Sequence, residues 1–325
     1  MEVFNAGRAA LNPSDVGAGA YSYPANDTGQ VVLGVSVLVN GSRRGFTISW
    51  GDQPVLVVEG PLPNVPPNGT LAVNVTIRVA VDPVARQAPL WDLVGAPSPE
   101  AALARAGAWS SIPREVANLT RSVPGFNYTS PLVSLAADYL RKSINSSTPL
   151  SAALSVARYV GSNVDYSARE PPRELWEVLA TWEGDCDDQS RLYVALARAL
   201  GLPSFQEFGY VHVSNAFGMN LTAASGHVTY VLVGGGGHAW AVAYIPPWGW
   251  VRIDTVFGNP SNPLSYISSA PYYALPTVVL GRSYGLTDEP TESQATYEAL
   301  ASTEAYLTIT YEVLLEREFY KEPWP

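Results

Sequence analysis

Apolar residues in the first third of the chain fall into short runs, and turn-forming residues separate these runs. The runs lie at Val31–Val39, Phe46–Trp50, Val55–Val58 and Leu71–Val81. The clusters between them are rich in Gly, Pro, Asn and Asp, as in "NGSRRG" and "GPLPNVPPNG". Short β-branched runs bounded by such clusters are typical of strands, and strands at this spacing favour a sandwich. We therefore predict a β-sandwich domain over residues 1–95.

From Pro99 onward, apolar residues recur every three or four positions, which is the period of a helix. The segments with this period are "PEAALARAGAW", "PLVSLAADYLRKSI", "PLSAALSVARYV" and "RELWEVLATW". The first three open with proline, which suits the first turn of a helix. A fifth helix is predicted to begin near Cys186, and Gly201 and Pro203 supply its stop signals.

Strand-like patterns return after these helices, in "SFQEFGYVHV", "HVTYVLVG", "HAWAVAYI" and "WVRIDTV". Helices followed by strands predict an α+β fold, so we assign residues 96–267 to a second domain. The C-terminal segment, residues 268–325, is rich in tyrosine, and "AYLTITYEVLL" alternates as a strand does. We expect that strand to return to the N-terminal sheet.

Composition and charge narrow the classes of function. The chain has 325 residues, of which 47% are apolar and 15% charged, as expected of a folded protein. The net charge is −10, and the only lysines are Lys142 and Lys321. An acidic surface disfavours nucleic acids and anionic membranes as partners.

Asparagine triplets bear on the compartment in which the protein works. Eight of the fifteen asparagines lie in Asn-X-Ser/Thr sequons, which accept N-glycans in exported proteins. These asparagines are Asn26, Asn40, Asn68, Asn74, Asn118, Asn127, Asn145 and Asn220. Abundant Ser and Thr also create sequons by chance, and this alternative stays open. The excess nevertheless favours an extracellular or cell-surface glycoprotein.

The sequence shows no targeting or spanning segment of its own. The stretch from Met1 to Leu11 has no apolar signal-peptide core, and no run of 18 apolar residues occurs. We expect a signal peptide and any anchor of an exported form to lie outside this sequence. Membrane association would then depend on a segment that is absent here.

The single cysteine, Cys186, lies in "EGDCDDQSRLYVALARALGLP" and therefore forms no intramolecular disulfide. Asp185 is predicted to cap the helix that follows, and a helix N-terminus favours a thiolate. The carboxylates of Glu183, Asp185, Asp187 and Asp188 oppose this, because like charge disfavours a thiolate. Cys186 is either a nucleophile that needs a base or a small buried side chain. The local sequence leaves both interpretations open.

Three histidines are candidate bases. His212 in "YVHVSN" and His227 in "SGHVTYV" are interpreted as strand or strand-edge residues. His238 follows "GGGG" and opens "HAWAVAYIPPWGWVRID". The glycines allow close backbone approach and leave room around the imidazole, so His238 is the preferred base.

Asp254 ends the strand that follows the His238 strand, and a carboxylate there can orient an imidazole. In a hairpin that pairs Tyr244 with Trp250, Trp240 lies opposite Asp254 and His238 lies diagonal to it. The diagonal positions are about 7–8 Å apart, which a carboxylate and an imidazole can bridge. The alternative is a solvated strand end paired with a neighbouring arginine.

Three motifs, "GDCDDQSRLYVALARALGLPS", "GHAWAVAY" and "GWVRIDT", resemble those of the transglutaminase-like superfamily in its archaeal and bacterial form. Cys186 and His238 are 52 positions apart, and His238 and Asp254 are 16 apart, as is typical of the family. The resemblance covers residues 130–260 and implies a papain-like core of helices packed on an antiparallel sheet. The chain departs from the family pattern after Asp254, where Thr255 and Val256 replace the common Pro-Thr.

The resemblance also implies roles for side chains. Cys186 would be the nucleophile, His238 the general base and then acid, and Asp254 the orienting residue. Nothing in the sequence resembles the calcium sites of animal transglutaminases, so we predict no metal and no cofactor.

Residues around this triad are less determined. Tyr166, in "NVDYSARE", resembles a tyrosine often found ahead of the cysteine helix. Tyr166 or Trp182 is a candidate oxyanion donor, beside the Cys186 backbone N–H. Trp182 and Trp240 are candidates for the substrate cleft, although core positions are expected for most tryptophans.

The triad implies acyl transfer on protein or peptide amide bonds through a thioester. With water as the acceptor the protein is a cysteine peptidase or amidase, and with an amine it is a protein-glutamine transglutaminase. We favour hydrolysis. A third possibility is a non-catalytic surface binding or adhesion module on an inherited fold, but the presence of all three triad residues counts against it.

Overall fold

A computed structural model of the protein describes residues 1–143, 147–213 and 219–314. Strands are named in chain order within these ranges: β1 Glu2–Asn5, β2 Ala20–Ser22, β3 Gln30–Val39, β4 Ser42–Arg44, β5 Phe46–Ser49, β6 Val55–Val58, β7 Thr70–Val81, β8 Asp165–Tyr166, β9 Glu183–Gly184, β10 Ser204–His212, β11 Met219–Ala223, β12 Val228–Val233, β13 Gly235–Ile245, β14 Gly249–Ile253, β15 Thr277–Ser283 and β16 Ala305–Glu312. The α-helices are α1 Pro83–Gln87, α2 Trp91–Val94, α3 Pro99–Leu103, α4 Pro131–Ser143, α5 Pro149–Asn163, α6 Leu175–Thr181, α7 Cys186–Ala199, α8 Ser265–Ser268, α9 Pro271–Ala274 and α10 Glu289–Ala301. Short 3-10 helices lie at Pro13–Val16, Ala88–Leu90, Trp109–Ser111, Arg114–Thr120 and Ala224–Gly226.

In the described part of the chain, seven strands form a large sheet in the order β11-β12-β16-β1-β7-β3-β4. Neighbouring strands are antiparallel except β12 and β16, which run parallel. The C-terminal strand β16 lies between β1 and β12, in the interior of the sheet. Ala305 and Leu307 of β16 are buried and alternate with exposed Tyr306, so one face of the strand packs on a core.

A small sheet of β2, β6 and β5 shares a hydrophobic core with the large sheet. Val3, Val37 and Leu71 of the large sheet and Leu56 and Val58 of β6 belong to this core, and none is more than 7% exposed. The N-terminal region is therefore a β-sandwich, which the later strands β11, β12 and β16 extend.

A third sheet has the order β14-β13-β10-β15, is antiparallel throughout, and is called the core sheet here. Helix α7 packs on β13 and β10, and α4, α5 and α6 pack around α7. Residues 192–197 of α7 are fully buried. The middle of α7 is thus buried on all sides, and not only along the stripe that its period predicts. The α+β arrangement places this helix at the centre of the larger core.

The sheets do not follow the boundaries drawn from sequence at residues 95 and 267. β11 and β12 come from the segment assigned to the second domain, but they lie in the large sheet. β15 comes from the C-terminal segment, but it pairs with β10 in the core sheet. The chain therefore passes between the two cores more than once.

Most elements expected from periodicity are present. The four apolar runs of the N-terminal region lie in β3, β5, β6 and β7, and the five expected helices correspond to α3 to α7. The first of them is short, because α3 ends at Leu103. Helix α10 was not expected, and its only buried residue is Pro290, so it carries no apolar stripe.

Within the described ranges, no helix combines the length and the apolar character needed to cross a bilayer. Seven of the eight sequon asparagines lie in these ranges, and all seven are exposed. Asn145 and residues 315–325 lie outside the described residues.

Candidate active site

Cys186 is the first residue of α7, and its side chain is half-buried. The Asp185 carboxylate accepts the backbone N–H of Asp188, and the Asp188 carboxylate accepts the backbone N–H of Asp185. This reciprocal capping box starts the helix one residue before the thiol. The thiol therefore lies in the first turn, where the helix dipole stabilises negative charge.

His238 and Asp254 meet at the open end of the β13–β14 hairpin. Tyr244 pairs with Trp250, which confirms the predicted register. β14 ends one residue before Asp254. His238 Nε2 and Asp254 Oδ2 are 2.5 Å apart, and the two side chains are 9% and 1% exposed. The diagonal placement predicted from parity is therefore close enough for a direct hydrogen bond.

The pKa of the His238 imidazole reflects opposing influences. Burial lowers it, but the charge and hydrogen bond of Asp254, and then contact with the Cys186 side chain, outweigh burial and raise the pKa to about 10. The ring is therefore an imidazolium at neutral pH. Because Asp254 engages Nε2, Nδ1 is the ring nitrogen left for the thiol.

Asp254 is itself held by the backbone. Its Oδ1 accepts the N–H groups of Val256 at 2.9 Å and Phe257 at 3.2 Å. Its own N–H donates to the Tyr266 carbonyl at 2.7 Å. These bonds form although Thr255 and Val256 depart from the family's Pro-Thr. The departure therefore leaves the carboxylate fixed.

Phe257 also belongs to the site, although it lies beyond the three sequence motifs. Its ring contacts the His238 ring edge to face, with 5.2 Å between centroids, and it is 45% exposed. It covers one side of the imidazole from the loop that follows Asp254. Its position three residues after Asp254 is the only sequence signal that could have indicated it.

Trp240 does not line a substrate cleft, which corrects one expectation from sequence. It is 1% exposed, and its indole N–H donates to Glu207 Oε2 at 3.0 Å. Its ring lies 6.0 Å from the His238 ring. The alternation along β13 predicts that Trp240 lies on the same face as His238, and this is confirmed. The burial of Trp240, however, depends on residues that are distant in sequence.

Tyr166 lies close to the thiol. β8 and β9 pair in parallel and set Tyr166 opposite Gly184, two residues before Cys186. Burial, followed by the negative charges of Cys186 and Asp185, raises the pKa of its hydroxyl. The side chain is 57% exposed, and its hydroxyl stays protonated at neutral pH, so it can donate a hydrogen bond to a substrate.

Trp182 acts through its backbone. It ends α6 in the left-handed conformation, with φ of 55°, and its carbonyl accepts the Asp165 N–H at 2.8 Å. Non-glycine residues adopt this conformation rarely, and here it turns the chain so that β9 pairs with β8. Its ring packs edge-on against Tyr159 at 5.9 Å, towards α5.

The acidic residues around Cys186 carry less negative charge than their number suggests. Burial and the Asp185 charge raise the pKa of Asp188 to about 6, although Arg173 opposes this. Burial, then hydrogen bonding with Asp185, raises the pKa of Asp187 well above its usual range. Asp187 therefore favours its neutral form, in which it does not oppose a thiolate.

Asp188 also anchors the helix. It is fully buried, and it accepts the Arg173 backbone N–H at 2.7 Å and the Arg173 guanidinium at 2.8 Å. Asp185, Asp187 and Asp188 are the described residues whose grouping could hold a metal ion, with oxygens within 4.8 Å of one another. Protein donors already engage Asp185 and Asp188, so the cluster is accounted for by its structural role.

Residues 138–255, which contain Cys186, His238 and Asp254, match the family model described as the transglutaminase-like superfamily. The chain contains a transglutaminase-like domain. Among solved structures, a proposed cysteine protease from Cytophaga hutchinsonii is similar to the chain with a TM-score of 0.54 and 15% identity. The similarity covers 89% of this chain and 80% of that one, and at this identity it shows the fold alone.

Two other solved structures are similar at scores too low to carry an argument. The periplasmic domain of TgpA from Pseudomonas aeruginosa gives a TM-score of 0.31 and 14% identity, over 79% of this chain and 86% of that one. Red sea bream transglutaminase gives 0.29 and 11%, over 89% and 55%. No curated protein matches the chain. The family match supports thiol-dependent catalysis in general.

Proposed function

We propose that the transglutaminase-like domain hydrolyses protein or peptide amide bonds with Cys186 as nucleophile, His238 as base and acid, and Asp254 as orienting residue. The observation that carries this proposal is the His238 imidazole, which lies 2.5 Å from Asp254 and contacts the Cys186 side chain at the start of α7, an environment that raises its pKa to about 10. An imidazolium and a helix N-terminus both stabilise the thiolate, which is the form that attacks a carbonyl.

In the first half of the reaction, Cys186 Sγ attacks the amide carbonyl carbon, and the carbonyl electron pair moves to oxygen. The backbone N–H of Cys186 has no partner within the helix, and with the Tyr166 hydroxyl it forms the proposed donor pair for this oxyanion. As the C=O bond re-forms, the C–N bond breaks and the leaving nitrogen takes the His238 Nδ1 proton. The products are a free amine and a thioester.

In the second half, His238 is neutral and removes a proton from water. The resulting hydroxide adds to the thioester carbonyl, and the tetrahedral intermediate collapses with Cys186 thiolate as the leaving group. The acyl part leaves as a carboxylic acid, and the imidazolium–thiolate pair is restored. Asp254 keeps Nε2 bound throughout, so the same ring nitrogen serves as acid and then as base.

The acceptor is tested by giving the protein both choices. A denatured protein substrate is incubated with the protein and a fluorescent primary amine, with Cys186→Ala as the control. Mass spectrometry reads new peptide termini and amine-labelled glutamines. We expect new termini that depend on Cys186. Labelled glutamines without new termini would mean that the acceptor is an amine, and the proposed reaction would then be transamidation rather than hydrolysis.

A third result would point away from catalysis. In this result neither product forms, and the pH midpoint of Cys186 alkylation is about 8.5, as for an ordinary thiol. Cys186 and His238 would then not form an active pair. The protein would then be a binding module on a transglutaminase-like fold.

We also propose that the protein works outside the cytoplasm, as a glycoprotein at the cell surface or in the surrounding medium. Support comes from the exposure of every described sequon asparagine. Exposure is required of a glycan acceptor because the sugar must remain in solvent. These asparagines are Asn26, Asn40, Asn68, Asn74, Asn118, Asn127 and Asn220.

A further inference from the structure

We propose that Gln206 and Glu207, consecutive residues of β10, are positioning residues that hold the nucleophile and the base of the proposed reaction. This inference rests on the proposed function. Adjacent residues of a strand point to opposite faces, so the two side chains reach different parts of the site. Both are buried, with exposures of 3% and 0%.

Gln206 holds the first turn of α7. Its Nε2 donates to Ser190 Oγ at 2.9 Å and to the Asp187 carbonyl at 3.3 Å. The Ser190 hydroxyl in turn donates to the Cys186 carbonyl at 2.7 Å. The residue that carries the thiol is therefore connected to β10 by two consecutive hydrogen bonds.

Glu207 holds the wall behind the base. It lies opposite Trp240 in the β10–β13 register, and it accepts the indole N–H at 3.0 Å. Trp240 packs beside His238, while Gly209 lies opposite His238. A Cβ at Gly209 would lie 3.1 Å from Trp240 Cη2 and 2.1 Å from the Val278 carbonyl oxygen. The glycine thus lets the β15 backbone approach β10 and leaves room for the indole next to the imidazole.

Two arginines keep the Glu207 carboxylate in place and ionised, so that it can accept the Trp240 N–H. Arg252 donates to both carboxylate oxygens at 2.9 and 3.1 Å, and Arg282 donates at 3.1 Å. Both guanidinium groups also bond to Asp27, at 2.9 and 3.3 Å. Burial raises the pKa of Glu207, but Arg252, Arg282 and the Trp240 N–H outweigh burial and lower it. Glu207 therefore stays an acceptor for the indole.

The separation between thiol and imidazole depends on both connections. One runs from Gln206 to Cys186, and the other runs from Glu207 through Trp240 to His238. Because they start at adjacent residues of one strand, a displacement of β10 moves both reacting groups in the same direction. Their mutual distance is preserved, and acyl transfer is sensitive to errors of about 1 Å in such distances.

The test uses Gln206→Met and Glu207→Gln, with the pH dependence of Cys186 alkylation by iodoacetamide as the readout. Methionine keeps the length of the side chain without its donors, and glutamine keeps the shape of the carboxylate without its charge. In each variant we expect the rate at pH 7 to fall by about 10- to 100-fold. We also expect the midpoint to move towards that of an ordinary thiol, about 8.5.

A matched control separates positioning from stability. Gln30→Met removes another buried amide, which bonds to the Ala25 and Val279 carbonyls and, among the described residues, to none of α7. We expect this control to lower the melting temperature and to leave the alkylation profile unchanged.

Milder variants keep the proposal testable if the first pair does not fold. Ser190→Ala removes the group between Gln206 and Cys186, and Trp240→Phe removes the N–H that Glu207 accepts. A smaller shift in the same direction is expected from each. Variants that fold and keep the wild-type profile overturn the positioning role while leaving the proposed function intact. A wild-type midpoint near that of an ordinary thiol overturns both.

Discussion

His238 Nε2 lies 2.5 Å from Asp254 Oδ2, at a position where the carboxylate is almost completely buried. The other oxygen of Asp254 accepts the N–H groups of Val256 and Phe257. The carboxylate cannot turn away from the ring without losing both of these bonds. The backbone after β14 therefore sets the orientation of the imidazole.

Replacing Asp254 with asparagine should lower the pKa of His238, because the carboxylate charge and hydrogen bond are the main influences that raise it. We expect kcat/KM for peptide cleavage to fall by about 10⁴-fold, as is found when an orienting aspartate is replaced with asparagine. Steady-state kinetics on a peptide found in the cleavage assay provides the measurement. Asp52→Asn, an exposed aspartate of the N-terminal region, serves as control, and an equal loss there would contradict the assignment.

Stability should fall as the pH rises through the alkaline range. The pKa of His238 is raised from 6.5 to about 10 in the folded chain, so the folded state binds the proton more tightly than the unfolded state does. Its contribution to stability is complete below pH 6.5 and is lost as the pH rises through about 10. The measurement is the free energy of unfolding of wild type and of His238→Gln, obtained with denaturant at several pH values between 6.5 and about 10. We expect the free energy of the wild type to fall more steeply with pH than that of the variant. Parallel slopes would contradict the raised pKa.

Asp188→Asn should destabilise the start of α7 because it removes the buried charge partner of the Arg173 guanidinium and leaves only the exposed Glu183 carboxylate at 3.8 Å. We expect the free energy of unfolding to fall by about 3 kcal/mol, as is found when one member of a buried ion pair is removed. Asp138→Asn is the matched control, since its pair with Arg141 is on the surface. A change of less than about 1 kcal/mol is expected there, and similar losses in both variants would refute the role of burial.

Tyr166→Phe removes the proposed second donor to the oxyanion. The hydroxyl acts only on charge that develops in the transition state, so kcat should fall by about 10²- to 10³-fold while KM changes little. Tyr306→Phe, an exposed tyrosine of β16, is the control. A rise in KM with unchanged kcat would instead assign Tyr166 to substrate binding.

Protein purified from its natural host should carry N-glycans at exposed asparagines. Peptide mass spectrometry before and after removal of the glycans identifies each occupied site. Asn5 is 3% exposed and lies outside a sequon, so it provides an internal negative control. Unmodified asparagines at all of the sequons would remove the main support for export.

The positions of Cys186, His238 and Asp254 could be predicted because each residue lies in a short, local pattern. Cys186 follows a capping residue, and His238 and Asp254 occupy one hairpin whose register follows from its parity. Patterns of this kind can be recognised in the sequence because they depend on backbone geometry within a few residues.

The supporting residues could not be predicted, because their environment comes from distant parts of the chain. Glu207 is buried only because Arg252 and Arg282 reach it, and Asp27 completes the charge balance from the N-terminal region. The sequence also does not show which sheet a strand joins. β12 and β13 both read as strands, but β12 joins the large sheet and β13 joins the core sheet.

The position of β16 has a consequence for biosynthesis. It pairs with β1 on one side and β12 on the other, and a ribosome makes it after all other strands of the described chain. Helix α7 and strands β10, β13 and β14 have already emerged by then. Until β16 arrives, the edges of β1 and β12 are open, and open edges recruit strands from other chains. The nascent protein is therefore most exposed to aggregation after β12 has emerged and before β16 has, and the risk comes from the sheet rather than from the thiol.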